Sequence, residues 1–156
     1  MPIRDATSDD ASPACIVLRR SITELCAADH RNDPAILARW LSNKTEAIFC
    51  QWLAQPGNSV LVAVEDGVLA AVGSVTDQGM VTLAYVSPDF RFRGVSKALL
   101  AALEARAAAR GNDRCTLTST ATALRFYRAN GYVETGPAEG AFGTTAGYPM
   151  LKRLRA

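Results

Sequence analysis

The sequence has a single histidine, four widely spaced cysteines with no Cys-x-x-Cys pair, and almost no excess of charge of either sign. One imidazole, His30, cannot build the usual zinc site. Cys15, Cys26, Cys50 and Cys115, each among apolar neighbours, are expected to be buried thiols rather than metal ligands or a disulfide framework, so no metal is expected. Seventeen Lys and Arg against fifteen Asp and Glu leave a formal net charge of +2, too little to predict general affinity for nucleic acid or anionic lipid. The longest apolar runs, such as Val68 to Val72 and Ala98 to Leu103, fall far short of the roughly 20 residues that span a bilayer. Met-Pro-Ile-Arg-Asp-Ala-Thr at the start contains no apolar segment or cleavage pattern, so no secretory signal is expected and the expected location is the cytoplasm. Internal repeats, linkers and low-complexity stretches are also lacking.

What is present is the composition of a folded domain. With 156 residues, 49% hydrophobic and 21% charged, residues 1–156 are expected to form one domain with a substantial core. Ser12-Pro13 opens a helix expected over residues 12 to 28, with Cys15, Leu18, Ile22 and Leu25 on one face. Asp33-Pro34 starts a second, with Ile36, Leu37, Trp40 and Leu41 apolar, and Thr45-Glu46 a third, with Ile48, Phe49, Trp52 and Leu53 on one side. Packing is the expected role of Trp40 and Trp52. Val-rich Ser59 to Glu65, the turn Asp66-Gly67 and Val68 to Thr76 predict a β-hairpin, and Asp77-Gln78-Gly79 leads into a third strand, Met80 to Val86. The Ala- and Leu-rich segment Ser96 to Arg110 predicts a helix ended by Gly111. A strand over Arg114 to Thr118, a helix from Thr120 or Ala121 to Asn130 and a last strand over Tyr148 to Leu154 complete the pattern, with Gly136 to Gly147 as a loop that has room for a short strand. Strand, loop, helix, strand implies a parallel crossover at the centre of the sheet.

Between the third strand and the Ala-rich helix lies Val86-Ser87-Pro88-Asp89-Phe90-Arg91-Phe92-Arg93-Gly94-Val95-Ser96-Lys97. Successive backbone N–H groups entering a helix converge on one point, and the helix dipole adds positive potential there, so such a loop can cradle a pyrophosphate. Gly94 and Ser96 are small enough for close approach, and Arg91, Arg93 and Lys97 concentrate positive charge that the overall balance conceals. The loop is neither a Gly-x-x-x-x-Gly-Lys-Ser/Thr phosphate loop nor a Gly-x-Gly-x-x-Gly dinucleotide fingerprint. Taken alone, it equally fits a solvated turn.

Arg91-x-x-Gly94-x-Ser96 following Val86-x-Pro88 resembles the acyl-CoA pyrophosphate motif of the GNAT superfamily of N-acetyltransferases, usually Gln or Arg, two residues, Gly, one residue, Gly or Ala. Ser96 departs from the last position but stays small. Further on, Ala123-Leu124-Arg125-Phe126-Tyr127-Arg128-Ala129-Asn130-Gly131-Tyr132 resembles the family's Ala-x-x-Phe-Tyr-x-x-x-Gly-Phe segment. The likeness is good over residues 59 to 134 and looser over the N-terminal helices and the last strand. It implies an α+β (α/β mixed) fold: a three-layer α/β/α arrangement around a central mixed, splayed, mostly antiparallel sheet. The strand over Met80 to Val86 then parts from that over Arg114 to Thr118, and the pantetheine arm lies in the gap.

The same resemblance implies acetyl-CoA as co-substrate, with no metal. Its site would comprise strand-edge amides around Ala84, Tyr85 and Val86, the loop Arg91, Phe92, Arg93, Gly94, Val95, Ser96 and Lys97, and Thr120. Thr120 stands where the family often has a cofactor-bonding Asn, and its hydroxyl either substitutes for that group or caps the following helix. Tyr127 matches the tyrosine that serves many members as general acid toward the departing thiolate; the alternative is simple packing beside Phe126, itself expected in the core. Glu24, Asp29, His30, Glu65, Asp77 and Glu139 are candidates for the base, and none is assigned. For His30 a helix-end or surface role is preferred to catalysis. Tyr85 and Tyr148 are candidate acceptor-pocket residues or ordinary strand aromatics, and Arg106, Arg110, Arg153 and Arg155 read as solvated charges or helix-end partners.

The implied function is transfer of an acetyl group from acetyl-CoA to a primary amine, on a small molecule or a peptide, by direct attack in a ternary complex. Neither nucleic acid nor membrane is expected as a partner, and a homodimer is left open. The alternative from another class is a non-catalytic acyl-CoA-binding or sensor module of the same fold. A third is a loop built for some other phosphate ligand, a nucleotide or nucleic acid.

Overall fold

The computed structural model describes residues 2–143 and 145–154. Side chains three and four apart bury one face of each N-terminal helix. Ala14, Cys15, Leu18 and Ile22 do so on α1 (Ala11–Leu25). The short α2 (Ala27–His30) follows, then α3 (Pro34–Leu41), capped by the Asp33 carboxylate. Next comes α4 (Glu46–Ala54), capped by Thr45 and packed through Phe49, Trp52 and Leu53. The single helix expected over residues 12 to 28 is divided. The chain turns at Cys26 (φ −104°, ψ 29°). There the fully buried His30 places Nε2 2.9 Å from the Ile22 carbonyl and 3.2 Å from that of Thr23, competing with the backbone amides that would extend the helix. His30 Nδ1 accepts the Asn32 amide (2.9 Å), so Nε2 carries the donated proton. Of the helix-end and surface roles expected for His30, the structure shows the first and excludes the second, since the side chain is fully buried at the end of α2.

The strands are β1 (Ile3–Asp5), β2 (Asn58–Glu65), β3 (Val68–Thr76), β4 (Met80–Val86), β5 (Arg114–Ser119), β6 (Val133–Glu134), β7 (Glu139–Ala141) and β8 (Thr145–Arg153). Between β4 and β5 runs α5 (Val95–Ala109), and between β5 and β6 the short α6 (Leu124–Ala129). The sheet order is β1-β2-β3-β4-β5-β8-β6, with β7 paired to β8. All pairings are antiparallel except β4 with β5, the expected parallel crossover. Asp66 (φ 51°) and Gly67 (φ 77°) make the β2–β3 turn with the positive angles that an Asp-Gly pair supplies.

Both faces of the sheet are covered. On one, Val60, Val62 and Val72 pack against α1 and α4. On the other, Leu61, Ala63, Ala71 and Val75 pack against Val95, Leu99 and Leu103 of α5 and against Tyr127 and Tyr132. Burial on both faces explains why β2 and β3 read as continuous apolar runs rather than alternating ones. Glu104 of α5 joins the layers by accepting from the Tyr132 hydroxyl (2.8 Å) and from Lys152 of β8 (2.9 Å).

Some expectations are corrected. Cys50 is exposed, unlike the other three cysteines, because it neighbours Phe49 on α4 and so falls outside the buried stripe. The last strand starts at Thr145, since Ala141↔Thr145 pairing with β7 extends it beyond the Ser119↔Tyr148 pair with β5. β7 is the short strand for which the Gly-rich loop had room. α6 starts at Leu124, after a turn over residues 121–123. Arg106 pairs with Asp5 (3.0 Å) and Arg110 with Asp77 (3.5 Å), while Arg155 lies outside the described residues.

Candidate active site

The site originates where β4 leaves β5. These strands pair only at Met80↔Thr116 and Val81↔Leu117. On its other edge β4 pairs Leu83 with Ser74 and Val81 with Val75, leaving Thr82 as the extra residue of a bulge. A bulge bends its strand and sharpens the twist. Beyond it, β4 runs from Leu83 to Val86 with no partner strand on the β5 side, an unpaired strand edge inside the molecule. The gap holds a cavity of about 420 Å³, lined among others by Ser21, Cys26, Ala84, Tyr85, Val86, Thr120, Phe126 and Tyr127. A second cavity of about 40 Å³ shares Ala84, Tyr85, Thr120, Ala123 and Tyr127 and adds Thr82, Thr118 and Phe142.

At the larger cavity lies the loop that leads from β4 into α5. Ser87 accepts the Asp89 amide (3.2 Å) in a Pro88-led turn, and Arg20 of α1 grips the Asp89 carboxylate through both terminal nitrogens (2.8 and 3.2 Å), tying the turn to the helix layer. Gly94 stands before α5 at φ 76°, a conformation that glycine adopts without steric cost. The amides of Val95, Ser96 and Lys97 then begin α5 with no carbonyl inside the helix to accept them. Arg91, Phe92, Gly94, Val95, Ser96 and Lys97 all line the cavity. Arg93 does not; its guanidinium lies over the Phe90 ring at 5.3 Å.

Tyr127 faces both cavities from α6 and is only 7% exposed. Its ring packs edge-on against Phe126 (5.3 Å) and Tyr132 (5.6 Å), and its hydroxyl makes no hydrogen bond among the described residues. Burial pushes its pKa well above the usual phenol range, keeping it a protonated donor at neutral pH. Tyr85 is raised for the same reason, and burial pushes the Cys26 thiol up to about 12, which makes it a poor nucleophile.

The turn ahead of α6 is held from a distance. Asp29 Oδ1 accepts the Ala121 amide (2.7 Å), and Oδ2 accepts the Thr122 amide (3.2 Å) and hydroxyl (2.5 Å). Thr120 Oγ1 accepts the Ala123 amide (3.1 Å), the capping option, while still lining both cavities. All three amides of the turn are therefore satisfied by side chains, and α6 follows from Leu124. Sequence reasoning weighed Asp29 only as a base; an acidic residue 92 positions from its partner leaves no local trace.

None of the six base candidates lines either cavity. Glu24 is paired with Arg20 (2.7 Å), Asp77 with Arg110, and Asp29 and His30 are occupied as described. Glu65 and Glu139 lie elsewhere on the sheet, and Tyr148 also lines neither cavity. Sequence reasoning missed Phe142, which walls the smaller cavity and leans on Trp40 at 5.2 Å. Its neighbour Gly143 fits tightly against α3: a Cβ there would meet the Ile36 carbonyl oxygen at 2.7 Å. Phe126, expected in the core, is half-buried and faces the larger cavity. Among the described residues no cluster of three or more His, Cys, Asp or Glu is placed to hold a metal ion, and no helix is long and apolar enough to cross a membrane.

Residues 27–154 match the family model for the acetyltransferase (GNAT) domain. The comparison with curated proteins returns no match. Among solved structures, a GCN5-related N-acetyltransferase from Rhodopseudomonas palustris is 28% identical, with a TM-score of 0.87 over 98% of this chain and 95% of its own. PaiA N-acetyltransferase from Thermoplasma acidophilum, solved with coenzyme A, is 18% identical, with a TM-score of 0.80 over 97% and 98%. A phosphinothricin acetyltransferase from Sinorhizobium meliloti, solved with acetyl-CoA, is 20% identical, with a TM-score of 0.73 over 98% and 88%.

Proposed function

Because the chain belongs to the GNAT acetyltransferase family, we propose that residues 1–156 act as one N-acetyltransferase domain whose larger cavity binds acetyl-CoA and whose smaller cavity admits the acceptor amine. The observation that carries this is the unpaired β4 edge facing a cavity with the start of α5 at its mouth. An amide-bearing pantetheine arm can pair with that edge as a missing strand would, and the pyrophosphate can accept from the Val95, Ser96 and Lys97 amides beside Arg91. Ten of the eleven residues expected to bind the cofactor line this cavity; Arg93 is the exception, and acts at most through its charge.

Acetyl-CoA supplies the thioester. The neutral amine forms a C–N bond to its carbonyl carbon, the C–S bond breaks, and the thiolate needs a proton. Tyr127 is the donor in our reading, with a buried phenol hydroxyl that no other described group occupies. Free N–H groups on the β4 edge, around Ala84 to Val86, polarise the carbonyl as charge moves onto its oxygen. Among the described residues no carboxylate or imidazole lines either cavity, so the proton leaving the amine travels through water and restores Tyr127. Four free cysteines suit a reducing compartment, in keeping with a cytoplasmic enzyme. The acceptor is a primary amine on a small molecule or peptide.

Calorimetric titration with acetyl-CoA, with free CoA and ATP as controls, tests the reading directly. Micromolar binding of acetyl-CoA without comparable ATP binding is expected, followed by amine-dependent CoA release across a panel of amines. Absence of binding by either CoA species would overturn it.

A further inference from the structure

Phe92 is the most exposed large apolar side chain of the described residues, at 93%, with the next, Val133, at 61%. Its backbone lies at φ 63°, a left-handed conformation that glycine adopts freely and phenylalanine does not. Neither burial nor backbone preference accounts for an aromatic ring there. The ring stands at the rim of the cofactor cavity, two residues before Gly94. The Arg91 guanidinium lies 4.6 Å from its centroid, while the side chain as a whole stays open to solvent. Arg93 covers Phe90 in the same way. An exposed aromatic surface among Arg91, Arg93 and Lys97, beside amides suited to phosphate, fits a ligand that is at once anionic and aromatic. An apolar protein patch would have no use for the three cations.

We infer that Phe92, backed by Arg91, is the stacking surface for the adenine ring of coenzyme A. This rests on the acetyl-CoA reading above and assigns the nucleotide end of the ligand, which the narrow strand gap does not reach. Stacking of a base on an aromatic side chain is worth about a tenfold change in affinity.

The test compares acetyl-CoA with acetyl-4′-phosphopantetheine, the same thioester without the 3′-phospho-AMP portion, on the wild type, Phe92→Gly and Phe92→Trp. Glycine removes the ring and relieves the left-handed backbone, so the loop keeps its shape. Phe92→Gly is expected to weaken acetyl-CoA about tenfold and to leave acetyl-4′-phosphopantetheine within twofold of wild type. Phe92→Trp is expected to restore acetyl-CoA affinity, with indole fluorescence quenched by acetyl-CoA and not by the truncated thioester. Equal weakening of both ligands, or unchanged acetyl-CoA binding by Phe92→Gly, overturns the assignment while leaving the acetyl-CoA reading intact. If the wild type binds neither thioester, that reading itself fails and the stacking assignment falls with it.

Discussion

Replacing Asp29 with Ala removes the carboxylate that holds the turn before α6, and its effects should appear in both stability and turnover. Three donors lose their acceptor: the Ala121 amide at 2.7 Å, the Thr122 amide at 3.2 Å and the Thr122 hydroxyl at 2.5 Å. Hydrogen bonds to a charged group contribute about 1.5–3 kcal/mol each. Thr122 is exposed, so water replaces part of what is lost, and the hydroxyl can rotate to solvent. The net destabilisation is therefore about 3 kcal/mol. For a chain of this size each kcal/mol moves Tm by about 2–4 °C, which predicts a fall of about 6–12 °C. Asp29→Asn keeps one acceptor oxygen and should lose about a third as much. Because Tyr127 follows the turn directly on α6, kcat should fall in both variants, more in Ala than in Asn, with acetyl-CoA affinity changing little. Differential scanning calorimetry and steady-state kinetics of the two variants suffice. A Tm within about 2 °C of wild type for Asp29→Ala, or indistinguishable Ala and Asn variants, would refute the view that this carboxylate holds the turn.

Tyr127→Phe deletes a hydroxyl that no described residue bonds, so Tm should hold within about 2 °C while kcat drops about 100-fold or more, the scale of a lost general acid; undiminished turnover ends the assigned role. Gly94→Asp finds nothing within 4 Å of its Cβ but must adopt φ 76°, so the fold should persist at a cost of about 1 kcal/mol while calorimetry shows acetyl-CoA binding lost; the neutral Gly94→Asn should retain more affinity. Lys44 is buried, its ammonium bonded among the described residues to Asn43 alone (2.6 Å), and burial lowers its pKa to about 8. An unfolded lysine titrates near about 10.4, so the penalty on the charged form is complete below pH 8 and fades as pH rises toward that value. Lys44→Met should accordingly stabilise by up to about 3 kcal/mol at pH 7 and by much less at pH 9.5; equal gains in urea unfolding at the two pH values would contradict this account.

Local chemistry made much of the molecule legible. Asp33-Pro34 and Thr45 announce helix starts through side-chain oxygens that accept their own first-turn amides, and the observed caps are these residues. Asp66-Gly67 is a turn because its two positive φ angles suit that pair. The loop that leads into α5 was readable for the same reason: Gly94, small neighbours and a helix start are adjacent in the chain. β1 and β6 were not legible, since strands of three and two residues carry no periodicity and exist only because a partner strand supplies their hydrogen bonds.

By itself, then, the sequence determined the order of the longer helices and of β2, β3, β4, β5 and β8, the glycine-led helix start between β4 and α5, and the place of Tyr127 on the helix after β5. Each of these depends on residues within a turn or two of one another. Only the tertiary structure decided that β4 bulges at Thr82 and parts from β5, that Asp29 and His30 are fastened to backbone rather than free to act as bases, and that Phe142 helps wall the smaller cavity. Those outcomes depend on contacts between residues far apart in the chain, where the alternatives differ by a few hydrogen bonds that no local pattern records. The same holds for Phe92, whose sequence shows an aromatic residue and whose fold leaves it in the open beside the cavity.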